Sequence, residues 1–190
     1  TFDNERQKVE ISVVKQDADN EAPVAGAEFG LYAKADIEAH GTVIVKADTL
    51  IGTAISDENG KAVFTQDLPF GEYYIKELAA PNGYVSSDEV IEVKAEYQGQ
   101  EVKVVQVASV FKNQPTKIEV SKSDLTTGVE LSGATLTVLD KDGNVVDTWK
   151  SVKGEKHLIE RLAVGETYTL REELAPYGYL KAEEITFTIE

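Results

Sequence analysis

YYIKELAAPNGY (Tyr73–Tyr84) and YTLREELAPYGY (Tyr168–Tyr179) are two versions of one twelve-residue stretch. Each opens as a strand. Tyr73, Ile75 and Glu77 share one face of the first, and Tyr168, Leu170 and Glu172 share one face of the second. Each then breaks at Ala-Pro-x-Gly-Tyr, where Pro ends ladder pairing and Gly accepts the positive φ of a tight turn. Twice, therefore, a carboxylate is set on the apolar face of a strand. Burying a charge alone is costly, so each Glu calls for a partner.

The duplication extends beyond this stretch. Lys15-Gln-Asp…Gly26-Ala27 aligns with Lys122-Ser-Asp…Gly133-Ala134 at a constant offset of 107, whereas Pro81 aligns with Pro176 at an offset of 95. The first copy thus carries a 12-residue insertion, placed within Ala33–Thr53. A break at Pro115-Thr116 separates the copies. The expected organisation is a tail of a preceding repeat at 1–7, a first domain at 8–115 and a second at 116–190. Phe2-x-Asn4 repeats the frame of Phe111-x-Asn113. The second copy reaches Glu190 before any equivalent of Val102–Asn113. Both observations, with the absence of Met, lead us to expect a window from a longer tandem array whose second copy lacks its last strand.

Short β-branched and aromatic runs broken by turn residues predict an all-β chain. The predicted strands are 9–14, 61–65, 72–77, 89–93, 102–111, 117–122, 134–139, 145–150, 167–172 and 184–189. Asp57–Gly60 and Lys141–Asn144 read as hairpin turns, Ala35–Ala39 as a single helical turn, and the insertion as an extended hairpin.

Of 190 residues, 42% are apolar, enough for a packed core, and the net charge is −15. An acidic surface repels phosphate backbones, so nucleic acid is not an expected partner. No apolar run approaches the roughly 20 residues of a membrane span. With no Cys in the chain, disulfides, thiolate metal sites and thiol nucleophiles are excluded. Neither a cofactor nor a metal is expected. Asp140–Asn144 echoes a calcium loop but reads better as a hairpin, and Asp17–Asn20 reads as a plain loop. His40 and His157 lack the partners of a hydrolase triad. Trp149 reads as strand packing.

Strand parity brings three polar groups to one interior. Val9, Ile11, Val13 and Lys15 share a face, as do Val105, Val107, Ser109, Phe111 and Asn113. With Glu77 they place an amine, a carboxyl and a carboxamide among apolar side chains. Ile118, Val120 and Lys122 repeat the first face beside Glu172. Desolvation lowers a Lys pKa and raises a Glu pKa. A neutral amine is a nucleophile, and a protonated Glu can hydrogen-bond the carboxamide oxygen and polarise its carbon. Attack by Lys15 on Asn113 would then release ammonia and leave an amide cross-link.

The duplicated stretch resembles Tyr-x-Leu-x-Glu-Thr-x-Ala-Pro-x-Gly-Tyr, a motif of Gram-positive pilins and of collagen-adhesin B-type domains. The first copy departs at Ile75 and Leu78, the second at Glu173. The resemblance implies two tandem immunoglobulin-like, transthyretin-like β-sandwiches with intramolecular isopeptide bonds. Lys15 and Asn113 would be joined with Glu77 as the catalytic acid. Lys122 and Glu172 would be the matching groups of the second copy, with the partner of Lys122 absent from this sequence. It further implies a stalk or pilin module on a Gram-positive cell wall, not an enzyme acting on other molecules. Its expected partners are neighbouring repeats and, in an adhesin reading, host extracellular matrix.

Overall fold

The computed structural model describes residues 7–190, so the expectation for Asn4 lies outside the described residues. Fifteen strands are present: β1 (Lys8–Asp17), β2 (Glu28–Ala33), β3 (Ile37–Ala39), β4 (Thr42–Val45), β5 (Leu50–Ile55), β6 (Lys61–Phe64), β7 (Gly71–Ala79), β8 (Val90–Ala95), β9 (Val104–Asn113), β10 (Lys117–Val120), β11 (Thr135–Leu139), β12 (Val145–Lys150), β13 (His157–Glu160), β14 (Thr167–Leu174) and β15 (Ile185–Thr188). They form two compact units. The first holds the described residues up to Pro81 together with Val85–Gln114; the second holds Asn82–Tyr84 and Pro115–Glu190.

In the first unit a three-stranded sheet, β6-β1-β9, lies against a four-stranded sheet, β5-β2-β7-β8. Their facing side chains make the core: Ile11, Val13, Phe29, Leu31, Phe64, Tyr73, Ile75, Val105 and Phe111 are all buried. β1 and β9 run parallel over ten residue pairs, from Lys8↔Val104 to Asp17↔Asn113. A parallel pair cannot be closed by a tight turn, so all the intervening chain is the connection.

The second unit repeats this plan with fewer pieces. β12-β11-β14-β15 matches the four-stranded sheet, and β10 pairs with β13 as β1 pairs with β6. Among the described residues no strand pairs with the other edge of β10. Val138, Ile159, Leu162, Tyr168 and Ile189 form its core, with Trp149 packed partly buried against it.

The duplication is visible in hydrogen bonds. Ser56 Oγ accepts from Ala27 N at 3.0 Å, and Ser151 Oγ accepts from Ala134 N at 3.0 Å. Ala27 and Ser56 are 29 residues apart, Ala134 and Ser151 only 17. The difference of twelve is the insertion, which forms the β3–β4 hairpin.

Ala35–Ala39 is not a helical turn. Ile37–Ala39 is a strand, because His40 and Gly41 adopt φ of 51° and 76° and fold the chain back through a tight turn. The Ile37 side chain is buried, which fixes the strand's inward face. The prediction also omits β2, β5 and β13. In β2 consecutive residues Phe29, Gly30 and Leu31 are buried, so no alternation marks it.

Candidate functional site

β1 carries Lys15 and Asp17 on its core face, and β9 carries Phe111 and Asn113 beside them. Lys15 and Phe111 are fully buried, Asp17 and Asn113 nearly so. Glu77 reaches this group from β7 in the opposite sheet. Asn113 Nδ2 donates to both Glu77 oxygens at 2.8 Å. The Lys15 ammonium sits 5.7 Å from the centroid of the Phe111 ring and donates to the Gln16 carbonyl at 3.3 Å. Phe29 packs edge-on against Phe111 with centroids 5.3 Å apart, keeping that side of the amine dry.

Burial pushes the Lys15 amine down from 10.5 to about 8, against the opposing pull of the Glu77, Asp17 and Glu89 carboxylates. An amine of this kind has an accessible neutral form near physiological pH.

Two local devices aim Glu77, and both recur at Glu172. The first is a β-bulge. Phe29 faces Glu77 while Glu28 faces Ala79, leaving Leu78 as the extra residue. Likewise Leu136 faces Glu172 while Thr135 faces Leu174, leaving Glu173 extra. A bulge bends its strand and re-aims the neighbouring side chain. The extra residues are the positions where both copies depart from the motif's Thr. The second device is a backbone donor ten residues on. Ser87 N donates to Glu77 Oε2 at 3.1 Å, and Ala182 N donates to Glu172 Oε2 at 2.6 Å. The Ala-Pro-x-Gly-Tyr turn sets the length of the loop that returns this N–H to the carboxylate.

In the second unit Lys122 Nζ lies 3.2 Å from Glu172 Oε1. The Glu172 side chain is 1% exposed and that of Lys122 is 18% exposed. Amine and carboxyl are thus brought together here as well, without a carboxamide beside them among the described residues. Asn144 caps the β11–β12 hairpin and donates to Asp140 Oδ2 at 2.9 Å.

One orientation differs from the sequence reading, which sets Glu77 against the carboxamide oxygen. The amide nitrogen faces Glu77 instead, and the buried Asn113 Oδ1 has no hydrogen-bond partner. That arrangement suits a carboxylate, which has only acceptors to offer.

Sequence reasoning passed over Asp17 as part of the site. Its signal was present in the aligned Lys-x-Asp of both copies. Among the features set aside, Asp140 Oδ1 is occupied by the Asp142 and Asn144 amides. Among the described residues no cluster of His, Asp or Glu is placed to hold a metal ion. His157 stacks on Trp149 with centroids 4.2 Å apart, and its Nε2 is 2.7 Å from Asp147 Oδ2.

The paired sheets and both Glu-bearing strands meet their relatives in one family, the SpaA prealbumin-like fold domain, which matches residues 9–108 and 116–190. The chain belongs to that family. Two curated relatives share sequence with this chain. The trypsin-resistant surface T6 protein of Streptococcus pyogenes is 33% identical over 94 residues, covering 50% of this chain and 15% of that protein. The collagen adhesin of Staphylococcus aureus is 39% identical over 77 residues, covering 40% of this chain and 6% of that protein. Among solved structures, the Bacillus anthracis TIE protein superposes with a TM-score of 0.60 at 26% identity, over 97% of this chain and 32% of that one. This chain therefore spans a small part of each relative. The elements of this chain's described residues are all strands, and the relatives are proteins of Gram-positive bacteria, one named as a surface protein and one as an adhesin.

Proposed function

We propose that this chain is a load-bearing stalk or pilin-type segment of a Gram-positive cell-surface protein, built of two domains at 8–115 and 116–190. The first is closed by an amide between Lys15 and Asn113. The observation that carries this reading is the burial of Lys15 and Asn113 on paired strands, with Glu77 on the carboxamide.

The reaction balances without a cofactor. Neutral Lys15 Nζ attacks Asn113 Cγ. Glu77 accepts a proton from Nζ and delivers one to Nδ2. The Cγ–Nδ2 bond breaks, ammonia leaves, and the Nζ–Cγ amide remains. Nδ2 already faces the carboxyl that would protonate it as it departs. Proximity and the dry surroundings supply the acceleration.

The strand arrangement gives the bond its purpose. Load entering at Lys8 runs along β1 to Lys15, crosses the amide and leaves at Asn113. Residues 16–112 then carry none of it. In the second unit Lys122 and Glu172 are the same reactive pair, and Lys122 remains an amine in this sequence. The likeness to the collagen adhesin covers 6% of that protein and transfers no ligand to this chain.

Intact mass tests the reading. A deficit of one ammonia is expected for the purified protein, and none for Glu77→Ala. A full-mass wild-type protein would overturn it. A deficit of two ammonias would refute the assignment of Lys122.

A further inference from the structure

Asp17 is a buried acid that the chemistry above does not use. Its Cα faces that of Asn113 across the parallel ladder, and it follows Lys15 by two residues on the same face. Asp17 Oδ1 accepts from Asp19 N at 2.8 Å and from Asn20 N at 3.3 Å, and the Asp17 carbonyl accepts from Glu21 N at 2.9 Å. The carboxylate therefore caps the turn that leaves β1. That turn grips the reaction partner, because Ala18 N donates to the Asn113 carbonyl at 3.0 Å. Glu21, on the same turn, pairs with Lys112 at 2.6 Å.

The second unit is a built-in control. Asp124, 107 residues on, accepts from Thr126 N at 2.9 Å and Thr127 N at 2.7 Å, and its carbonyl accepts from Gly128 N at 2.9 Å. Glu21 and Gly128 share a left-handed φ of 61° and 69°. Leu125, the counterpart of Ala18, is fully exposed. The turn thus forms where no strand equivalent to β9 lies beside it. There Asp124 Oδ1 also accepts from Thr127 Oγ1 at 2.8 Å.

We propose that Asp17 is a positioning residue for amide formation: the turn it caps holds Asn113 in register. Its charge, two residues from Lys15 on the same buried face, also favours the ammonium form of that amine. The two effects oppose each other. The first raises the fraction of time the carboxamide is in place, and the second delays attack until the amine loses its proton. The carboxylates acting on Lys15 are Glu77 from β7, Asp17 from β1 itself and Glu89 just before β8, and burial opposes all three. Only Asp17 also binds the loop that grips Asn113. The inference rests on the cross-linking reading.

Asp17→Asn and Asp17→Ala separate the two effects. Asn keeps the Oδ1 acceptor and loses the charge; Ala loses both. The full chain is made by cell-free synthesis, chased across a pH series, and followed by intact mass, with the link located by peptide mapping. Wild type is expected to close faster as pH rises and to level off once the amine is neutral. Asp17→Asn should reach the same plateau with its midpoint moved to lower pH. Asp17→Ala should show a plateau reduced about tenfold, the cost of about 1.4 kcal/mol of lost positioning. An Asp17→Asn profile superimposed on wild type overturns the charge role. An Asp17→Ala plateau equal to wild type overturns the positioning role. If wild type never loses ammonia, the cross-linking reading itself falls. Hydrogen exchange then still decides the turn: Asp17→Ala must lose protection at Ala18 relative to Asp17→Asn, and equal protection overturns the grip on Asn113.

Discussion

The buried amine of Lys15 predicts a pH dependence of opposite slope to the one ordinary surface lysines give. In a chain that cannot cross-link, folding moves this amine from 10.5 to about 8. Between those values the unfolded chain holds a proton that the folded chain has released, so stability rises with pH. Below about 8 both states are protonated and the penalty for burying the ammonium is constant. Each pH unit within the window is worth about 1.4 kcal/mol, so the gain from pH 8 to about pH 10 is about 2–3 kcal/mol. Asn113→Leu is the variant of choice, because a branched side chain of similar shape keeps the site dry and offers no carboxamide. If the proposed cross-link forms, the wild-type Lys15 nitrogen is an amide and does not titrate. Lys34 and Lys94 are raised by their surface partners Glu92 and Glu96 and pull the other way, but equally in both proteins. The measurement is therefore the difference between two urea-denaturation series of the first unit across this range. The variant should gain on wild type by about 2–3 kcal/mol. A difference that stays flat or changes sign would refute the account of a desolvated amine.

Two further outcomes follow from the same geometry. Pulled from its ends, the wild-type first unit should show no extension from residues 16–112, whereas Glu77→Ala should release about 300–350 Å as those residues straighten; equal extensions in single-molecule force traces would refute the load path. Gly60 sits at φ 73° with its missing Cβ directed into the Lys15 carbonyl, which accepts from Val24 N at 3.0 Å. Gly60→Ala should lower first-unit stability by about 1–3 kcal/mol and slow amide closure, read by urea titration and mass; unchanged values for both would show that β1 tolerates the shift.

The elements with strong local signals were readable from sequence. Alternation along Val9–Lys15 and Tyr73–Glu77 puts Lys15 and Glu77 inward, because successive strand side chains point to opposite faces. The same rule fails at β2, where both faces of Phe29–Leu31 are covered and nothing alternates. It fails at Ile37–Ala39 too, where the His40-Gly41 turn outweighs helical spacing over five residues.

What the sequence by itself determined is therefore the duplication, the strand class, the twelve-residue insertion and the inward direction of an amine, a carboxyl and a carboxamide. These are properties of spacing and period, which are written along the chain. Tertiary structure alone decided that β1 and β9 run parallel, that a bulge and a returning N–H aim each Glu, that the amide nitrogen faces Glu77, and that the Ala18 amide donates to the carbonyl of Asn113. Each of these joins residues separated by at least ten positions or belonging to different sheets. Such contacts are set by how the sheets close on one core, and local propensity has no access to them.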